Sequence, residues 1–109
     1  MTDPRIYYGV QNEATMPFVY IMTNKPNGTF YLGSTTDLQN RVFQHKTSTT
    51  DSFTRKYKLT QLVWFQEFEN LVDAQAQEWA MKKWKRQWKI NTILELNPNW
   101  RDLSEDFNR

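Results

Sequence analysis

Several residue types that build common functional sites are missing or scarce in this chain of 109 residues. The chain has no cysteine, which excludes disulfide bonds, zinc ribbons and cysteine nucleophiles. It has one histidine, so a metal site made from several histidines is also excluded. No apolar run of about 18 residues occurs, so we expect no membrane span. The start of the chain lacks a basic segment followed by an apolar one, and we therefore expect no secretory signal.

The formal net charge is +2 at pH 7, and the isoelectric point is about 8.9. This balance favours a nucleic-acid partner only weakly, because many unrelated proteins share it. The distribution is more informative, since basic residues concentrate in one stretch that contains Lys82, Lys83, Lys85, Arg86 and Lys89. With no cysteine and no secretory signal, we expect a single cytoplasmic domain, and a monomer is the expected state.

Three strands are predicted, at residues 17–23, 29–34 and 61–68. In the first, alternation directs Phe18, Tyr20 and Met22 to one side and the residues between them to the other. The pair Asn27-Gly28 before the second strand is typical of a hairpin turn, where a positive φ is needed. The first two strands are therefore predicted to form an antiparallel hairpin.

Helices are predicted to begin near Asp37 and to run from Asn70 to about Trp84. A further helical stretch follows, with a bend before it, and ends at Pro98, which cannot continue the hydrogen-bond ladder. The order β-β-α-β-α-α predicts an α+β domain, a small antiparallel three-stranded sheet flanked by helices. The expected boundaries are an N-terminal arm at 1–16, the folded domain at 17–103 and a C-terminal tail at 104–109.

Two tyrosines are the first candidates for chemistry, because paired strands can set side chains about 5 Å apart. At that separation Tyr20 and Tyr31 could share one water or one phosphate oxygen. A phenol has a pKa of about 10, so as a base it needs help from a nearby cation or a metal-bound water. Each ring alone is also compatible with an ordinary half-buried aromatic. Gly33 indicates either a simple bulge or a close approach of another backbone.

The predicted helices add a guanidinium, an imidazole and a carboxylate. Arg41 and His45 are four residues apart and share a helix face, where they could hold a phosphate and assist proton transfer. Glu78 lies on an otherwise apolar helix face, so its carboxylate needs a partner or a metal such as Mg²⁺. The alternatives are a solvated Arg41, a structural His45 and an ion pair between Glu78 and Lys82.

The segment from Trp79 to Trp88 mixes basic and aromatic side chains. Bases can stack on tryptophan while lysine and arginine hold phosphates. A solvated helix with its tryptophans facing the core is the alternative. The predicted nucleic-acid contacts are Lys56, Lys82, Lys83, Lys85, Arg86, Trp79 and Trp88, with Phe53 as a further candidate stacking platform.

Taken together and in this order, these residues resemble the GIY-YIG nuclease superfamily. The first signature reads Val19-Tyr20-Ile21, with valine where the family name has glycine, and the second reads Tyr31-Leu32-Gly33, with leucine for isoleucine. The following helix with its arginine and histidine, and the later Glu78, are similar to those of small stand-alone members. The likeness covers residues 17–103.

The resemblance implies a metal-dependent DNA endonuclease that uses one Mg²⁺ or Mn²⁺ ion. Tyr20 would be the general base or would hold the nucleophilic water, and Tyr31 would help to orient that water and the phosphate. Arg41 would stabilise charge on the phosphoryl oxygens, His45 would assist proton movement, and Glu78 would hold the ion. In-line attack on a phosphodiester needs these same elements: an activated water, charge neutralisation and a stabilised leaving group.

Supporting roles are implied for Gly33 and Asn97, with some departures from the family pattern. Asn97 is further from Glu78 than in several branches, so Asn91 is a second candidate. The positions that flank Glu78 carry glutamine and tryptophan, where small members commonly have arginine and lysine. This difference bears on phosphate contacts and substrate choice.

Three classes of function are compatible with these observations. The first is an endonuclease acting on single-stranded or distorted DNA rather than plain duplex, because stacking on aromatic side chains needs unpaired bases. The second is a non-cleaving nucleic-acid-binding module on the same fold, which would be indicated by loss of the carboxylate or of a tyrosine; neither is lost. The third is a structural or interaction protein, which would show no salt-sensitive DNA binding.

Overall fold

A computed structural model describes residues 16–47 and 56–107 of the chain. The predicted N-terminal arm, apart from Met16, and the candidate platform Phe53 lie outside the described residues. The described elements are β1 (Phe18–Thr23), β2 (Phe30–Thr35), α1 (Leu38–Thr47), β3 (Gln61–Glu67), α2 (Leu71–Lys82), α3 (Arg86–Leu96) and a C-terminal 3-10 helix (Leu103–Asp106). The predicted α+β class and the order of strands and helices are confirmed.

The strands form one antiparallel sheet in the order β2-β1-β3, so β1 is central and β2 has one unpaired side. In the continuous pairing of β1 with β2, Tyr20 lies opposite Gly33 and Met22 lies opposite Tyr31. The pairing of β1 with β3 shifts register after Ile21. The register of β2 therefore brings Gly33 directly beside the first tyrosine.

Alternation along β1 divides the sheet into two faces. One side, called the site face, packs against α1 and the C-terminal 3-10 helix, and its buried apolar cluster contains Tyr20, Met22, Leu38, Val42, Leu59 and Leu62. The other side, called the core face, packs against α2 and α3, and its buried cluster contains Val19, Ile21, Leu32, Val63, Trp64, Ala74, Met81 and Ile93. The predicted orientation of the side chains of β1 is confirmed.

The helices begin and end at residues that suit these positions. Asp37 precedes α1 and accepts a hydrogen bond from the backbone N–H of Asn40 at 3.2 Å. Asn70 caps α2, where its side-chain oxygen accepts from the N–H of Asp73 at 2.8 Å. The predicted bend lies between α2 and α3, and α3 ends shortly before Pro98. Local capping chemistry thus determines where α1 and α2 start.

The turn between β1 and β2 has its positive φ within the predicted Asn27-Gly28 pair. Asn27 has the positive φ, 58°, whereas no glycine among the described residues does. The guanidinium of Arg86 donates to the carbonyls of Asn27 and Gly28 and lies 4.2 Å from the ring centroid of Phe30. Arg86 therefore connects the start of α3 to this turn.

The end of the chain packs back onto the sheet. Trp100 stacks on Phe30 with ring centroids 6.1 Å apart and packs against the buried cluster of the core face. Asp102 accepts hydrogen bonds from the backbone N–H of Leu62 and from Ser104, and it forms a 2.6 Å ion pair with Lys46 of α1. These contacts connect the unpredicted 3-10 helix to both β3 and α1.

Candidate active site

The Tyr20 hydroxyl is the centre of a polar cluster on the site face. Its oxygen lies 3.0 Å from Nε2 of His45 and accepts a hydrogen bond from Nε of Arg41 at 3.3 Å. Tyr20 is fully buried and His45 is almost so. Because α1 presents Arg41 and His45 one turn apart, both reach the same oxygen, as their spacing predicted.

The second tyrosine joins this cluster diagonally. Tyr31 lies opposite Met22, yet its ring centroid is 6.1 Å from that of Tyr20 and 4.9 Å from that of His45. The two phenols are therefore not directly opposed, as a simple cross-strand pair would be. Long aromatic side chains can meet along this diagonal, because such neighbours remain within their reach.

Gly33 makes room for the two rings. A Cβ at this position would lie 3.0 Å from the Tyr20 hydroxyl oxygen and 3.1 Å from the ring of Tyr31. The pairing of β1 with β2 continues through Gly33, so the bulge that the sequence left open is not present here. The close neighbours are side chains rather than the expected second backbone. A larger residue would push the two rings away from their present positions.

The cluster changes the acidity of its members. Burial raises the pKa of the Tyr20 phenol, and the hydrogen bond from Arg41 only partly offsets this effect. The hydrogen bond to Tyr20, with a further one to Tyr31, raises the pKa of Arg41. At neutral pH the site therefore contains a protonated phenol beside a fixed guanidinium charge.

Glu78 approaches from the opposite side of the sheet. It belongs to α2 on the core face, yet its Oε1 accepts a 2.6 Å hydrogen bond from the hydroxyl of Ser34, which follows Gly33 on β2. Its charge is one of the causes that raise the pKa of Tyr20. The carboxylate therefore lies at the β2 edge, within electrostatic reach of the tyrosine cluster.

The ion pair that the sequence offered as an alternative for Glu78 is also present. Lys82 contacts the second carboxylate oxygen at 2.7 Å, and the Glu78 side chain is 18% exposed. Ser34 was not among the predicted site residues. Its contact with Glu78 spans 44 positions in the sequence, so no local pattern predicts it. The only local signal for Ser34 is that a hydroxyl follows a glycine in a strand.

The donor atoms around Glu78 suit one loosely held hard cation. Among the described residues, no group of three or more histidine, cysteine, aspartate or glutamate side chains could form a metal cage. A single carboxylate fits Mg²⁺, which keeps several waters and binds substrate phosphates as well. Glu78 could therefore hold such an ion together with water and a phosphate.

The predicted nucleic-acid contacts are scattered over the surface. Lys56 lies over the Tyr57 ring at 5.4 Å from its centroid, and Lys85 is exposed at the start of α3. Arg86 is engaged with the β1–β2 turn. All seven residues stay predictions as nucleic-acid contacts: Lys56, Lys82, Lys83, Lys85, Arg86, Trp79 and Trp88.

The tryptophans of the basic segment differ in burial. Trp79 and Trp88 are 69% and 53% exposed, whereas Trp84 packs partly buried against the core face. The interpretation in which all three face the core therefore holds for Trp84 alone. Lys83 lies over the Trp79 ring, with Nζ 4.9 Å from its centroid.

The two candidate supporting asparagines lie on or after α3. The Asn97 side chain is buried and hydrogen-bonds the Val63 carbonyl and both backbone groups of Arg101. Asn91 is exposed and accepts from Gln87 one turn earlier. Asn97 thus connects α3 to β3, and its part in the chemistry stays a prediction.

Comparison with known families decides the identity of this fold. The model of the GIY-YIG catalytic domain matches residues 16–91. The chain belongs to the GIY-YIG family. The match includes both tyrosines, the α1 pair and Glu78. GIY-YIG domains constitute a nuclease family, so membership indicates a nuclease with DNA as the partner.

Relatives of similar size support this membership. A UPF0213 protein of Clostridium perfringens is 35% identical over 93 residues, which are 85% of this chain and 99% of the relative. A UPF0213 protein of Staphylococcus saprophyticus is 28% identical over 72% of this chain and 94% of its own length. A UPF0213 protein of Pediococcus pentosaceus is 32% identical over 70% of this chain and 80% of its own length. No solved structure matches the chain.

The GIY-YIG chain shows no membrane-spanning helix within its described residues. Its predicted resemblance to a small stand-alone member is confirmed by the family match and by the relatives.

Proposed function

We propose that this protein is a divalent-metal-dependent endonuclease that hydrolyses phosphodiester bonds in DNA. One observation carries the proposal: the Tyr20 hydroxyl contacts His45 and Arg41, beside the β2 edge that the Glu78 carboxylate reaches. A base, a proton acceptor, a fixed cation and an acidic ligand are the groups that phosphodiester hydrolysis requires.

Tyr20 is the proposed base, and His45 is the proposed acceptor of its proton. Because burial raises the pKa of Tyr20, a free phenolate is disfavoured near neutral pH. The phenol oxygen can still take a proton from the attacking water if its own proton moves to Nε2 of His45, 3.0 Å away. This transfer requires Nε2 to be unprotonated at the start, with the ring proton on Nδ1.

Arg41 is proposed to hold the phosphoryl oxygens. Its Nε–H is used by Tyr20, and the guanidinium also hydrogen-bonds Tyr31. The remaining N–H groups of the planar fork would donate to the phosphate. The two phenols thus fix the orientation of the fork before substrate binds.

Glu78 would hold one Mg²⁺ or Mn²⁺ ion, which would supply charge neutralisation at the leaving oxygen. Both carboxylate oxygens already have partners, Ser34 and Lys82. Ser34 orients the carboxylate, whereas Lys82 must share or release its contact when a cation binds. The released ammonium group would then be available to a substrate phosphate.

Single-stranded or distorted DNA is the proposed substrate, in a cytoplasmic, monomeric protein. Exposed aromatic side chains beside lysines are suited to stacking on unpaired bases. Trp79 provides such a ring next to Glu78. The exposed ring therefore supports a preference for single-stranded DNA over intact duplex.

A cleavage assay with labelled single-stranded and duplex DNA tests this proposal, in Mg²⁺, Mn²⁺ or chelator. The key variant is Glu78→Gln, and Glu95→Gln, an exposed carboxylate on α3, is the matched control. We expect metal-dependent cutting by the wild type and the control, and a loss of on the order of 10²-fold or more in Glu78→Gln. The single-stranded substrate should be cut faster.

Two results would contradict the proposal. Salt-sensitive binding without cutting on every substrate would indicate the non-cleaving module. Cutting that persists in chelator or in Glu78→Gln would show that the carboxylate does not hold an essential ion.

A further inference from the structure

An exposed indole lies directly beside the proposed metal ligand. Trp79 follows Glu78 on α2, and 69% of its surface is exposed. Such a large apolar ring in water is unfavourable, and contacts with the described residues leave most of it uncovered. Trp88 is also exposed, but its ring packs edge-on against Trp84 with centroids 6.2 Å apart.

A shallow, open depression of about 450 Å³ borders this ring. Its lining residues are Gln75, Ala76, Glu78, Trp79 and Lys82. Because Glu78 is one of them, the depression borders the proposed metal ligand. It combines a flat aromatic surface, a small side chain and a side-chain amide.

The depression and its rim carry two lysines and one carboxylate. Lys82 and Glu78 line it as an ion pair, and Lys83 lies on the Trp79 ring with Nζ 4.9 Å from the centroid, so the local charge is net positive. A net positive charge beside a flat ring favours an anionic ligand with a flat apolar part. Lys83 does not line the depression, so the ring is contacted by a cation on one side and open on another. Cation–π contact holds the indole in place.

We propose that this depression binds one unpaired nucleobase, which stacks on Trp79. The base belongs to the nucleotide directly next to the phosphate being cut, because the side chains of Glu78 and Trp79 line the same depression. Lys82 and Lys83 contact the phosphates on either side of this nucleotide. This inference rests on the proposed function, and it names the feature that selects single strands: a paired base keeps its faces stacked in the duplex.

Binding measured without cleavage tests the subsite on its own. The probes are a fluorescein-labelled oligothymidylate and a duplex of equal length, titrated in chelator and followed by anisotropy. Replacing Trp79 with alanine should weaken binding of the oligothymidylate by about 5- to 150-fold. Binding of the duplex should change by less than about threefold. Trp79→Phe, which keeps a ring face, should recover much of the loss.

Phe43→Ala is the matched control, because it also removes an exposed aromatic ring, but from α1, which does not line the depression. It should leave single-strand binding unchanged. Thermal unfolding is measured for all variants, and each should be folded, because both positions are exposed. Equal losses in Trp79→Ala and Phe43→Ala, or no loss in Trp79→Ala, would overturn the proposal. So would a wild-type dimer that Trp79→Ala converts to monomers, since the ring would then be a subunit contact.

A second measurement locates the base relative to the cut. A single abasic nucleotide is moved along a cleaved oligonucleotide, and kcat/KM is measured for each position. One position next to the cut should lower kcat/KM in the wild type and have no effect in Trp79→Ala. Sensitivity at the same position in both proteins would overturn the proposal. If the protein binds through Trp79 but never cuts, the proposed function fails while the subsite stands.

Discussion

The two faces of the sheet are made by the same strands, but they bury different chemistry. On the core face, the buried cluster consists of aliphatic, methionine and tryptophan side chains. On the site face, a phenol and an imidazole are buried among apolar residues, and both are hydrogen-bonded. Burying polar groups without partners is costly, and the hydrogen bonds of Tyr20 with His45 and Arg41 offset this cost on the site face.

The difference between the faces shows which parts of the fold carry the candidate site residues. Tyr20 and Ile21 are neighbours on β1, yet the first belongs to the polar cluster and the second to the core cluster. Glu78 is the exception, because a helix of the core face supplies a residue of the site. Its carboxylate accepts a hydrogen bond from Ser34 of β2, and its charge is one of the causes that raise the pKa of Tyr20.

The largest expected effect is that of the change Tyr20→Phe on the site face. It keeps the ring but removes the hydroxyl that contacts His45 and Arg41. We expect kcat/KM for DNA cleavage to fall by about 10²- to 10⁴-fold, as for loss of a general base. The free energy of unfolding in urea should change by less than about 2 kcal/mol. Wild-type cleavage in this variant would remove Tyr20 from the mechanism.

The opposite result is expected on the core face. Ile93 of α3 is fully buried, and Ile93→Ala should lower the free energy of unfolding by about 2–5 kcal/mol. Cleavage per folded molecule should stay at the wild-type level, because α3 supplies no group to the Tyr20 cluster. Urea unfolding and kcat measured on the same samples separate the two effects. Ile93→Val is the conservative control and should lower the free energy of unfolding by about 0.5–1.5 kcal/mol.

Features with a local cause could be predicted from the sequence. The alternation of β1 depends only on the period of a strand, so the opposite faces of Tyr20 and Ile21 were predictable. Asp37 and Asn70 precede helices because their side chains accept hydrogen bonds from nearby backbone N–H groups. The helical spacing of Arg41 and His45 placed both on one face for the same kind of reason.

Features that depend on distant parts of the chain could not be predicted. The contact of Ser34 with Glu78 needs both the register of β2 and the position of α2. The engagement of Arg86 by the β1–β2 turn likewise joins residues nearly sixty positions apart. Tyr31 was expected beside Tyr20, but the register places Gly33 there. Each of these outcomes is set by packing between elements, for which one sequence holds little local signal.

The smallest effect concerns the contact that holds α1 on the site face. Burial would raise the pKa of Asp102, but hydrogen bonds from Lys46, Ser104 and the Leu62 N–H together outweigh it and lower the pKa. A lowered pKa in the folded state stabilises the protein above the ordinary carboxyl value of about 3.9, and this stabilisation is lost as pH falls through the folded value. The contribution should be on the order of 1 kcal/mol, since the Lys46 partner is partly exposed.

Urea unfolding between pH 7 and pH 2 measures this contribution. The wild type should lose more stability on acidification than Asp102→Asn, whereas Glu95→Gln should behave like the wild type. The unfolding free energies of the wild type and Asp102→Asn should converge near the acid end, because protonated Asp102 no longer pairs with Lys46. Identical acid profiles would mean that the carboxylate does not hold α1. The orientation of Arg41 and His45 would then depend on the apolar packing of α1 alone, and the site face would resemble the core face more closely than its polar cluster indicates.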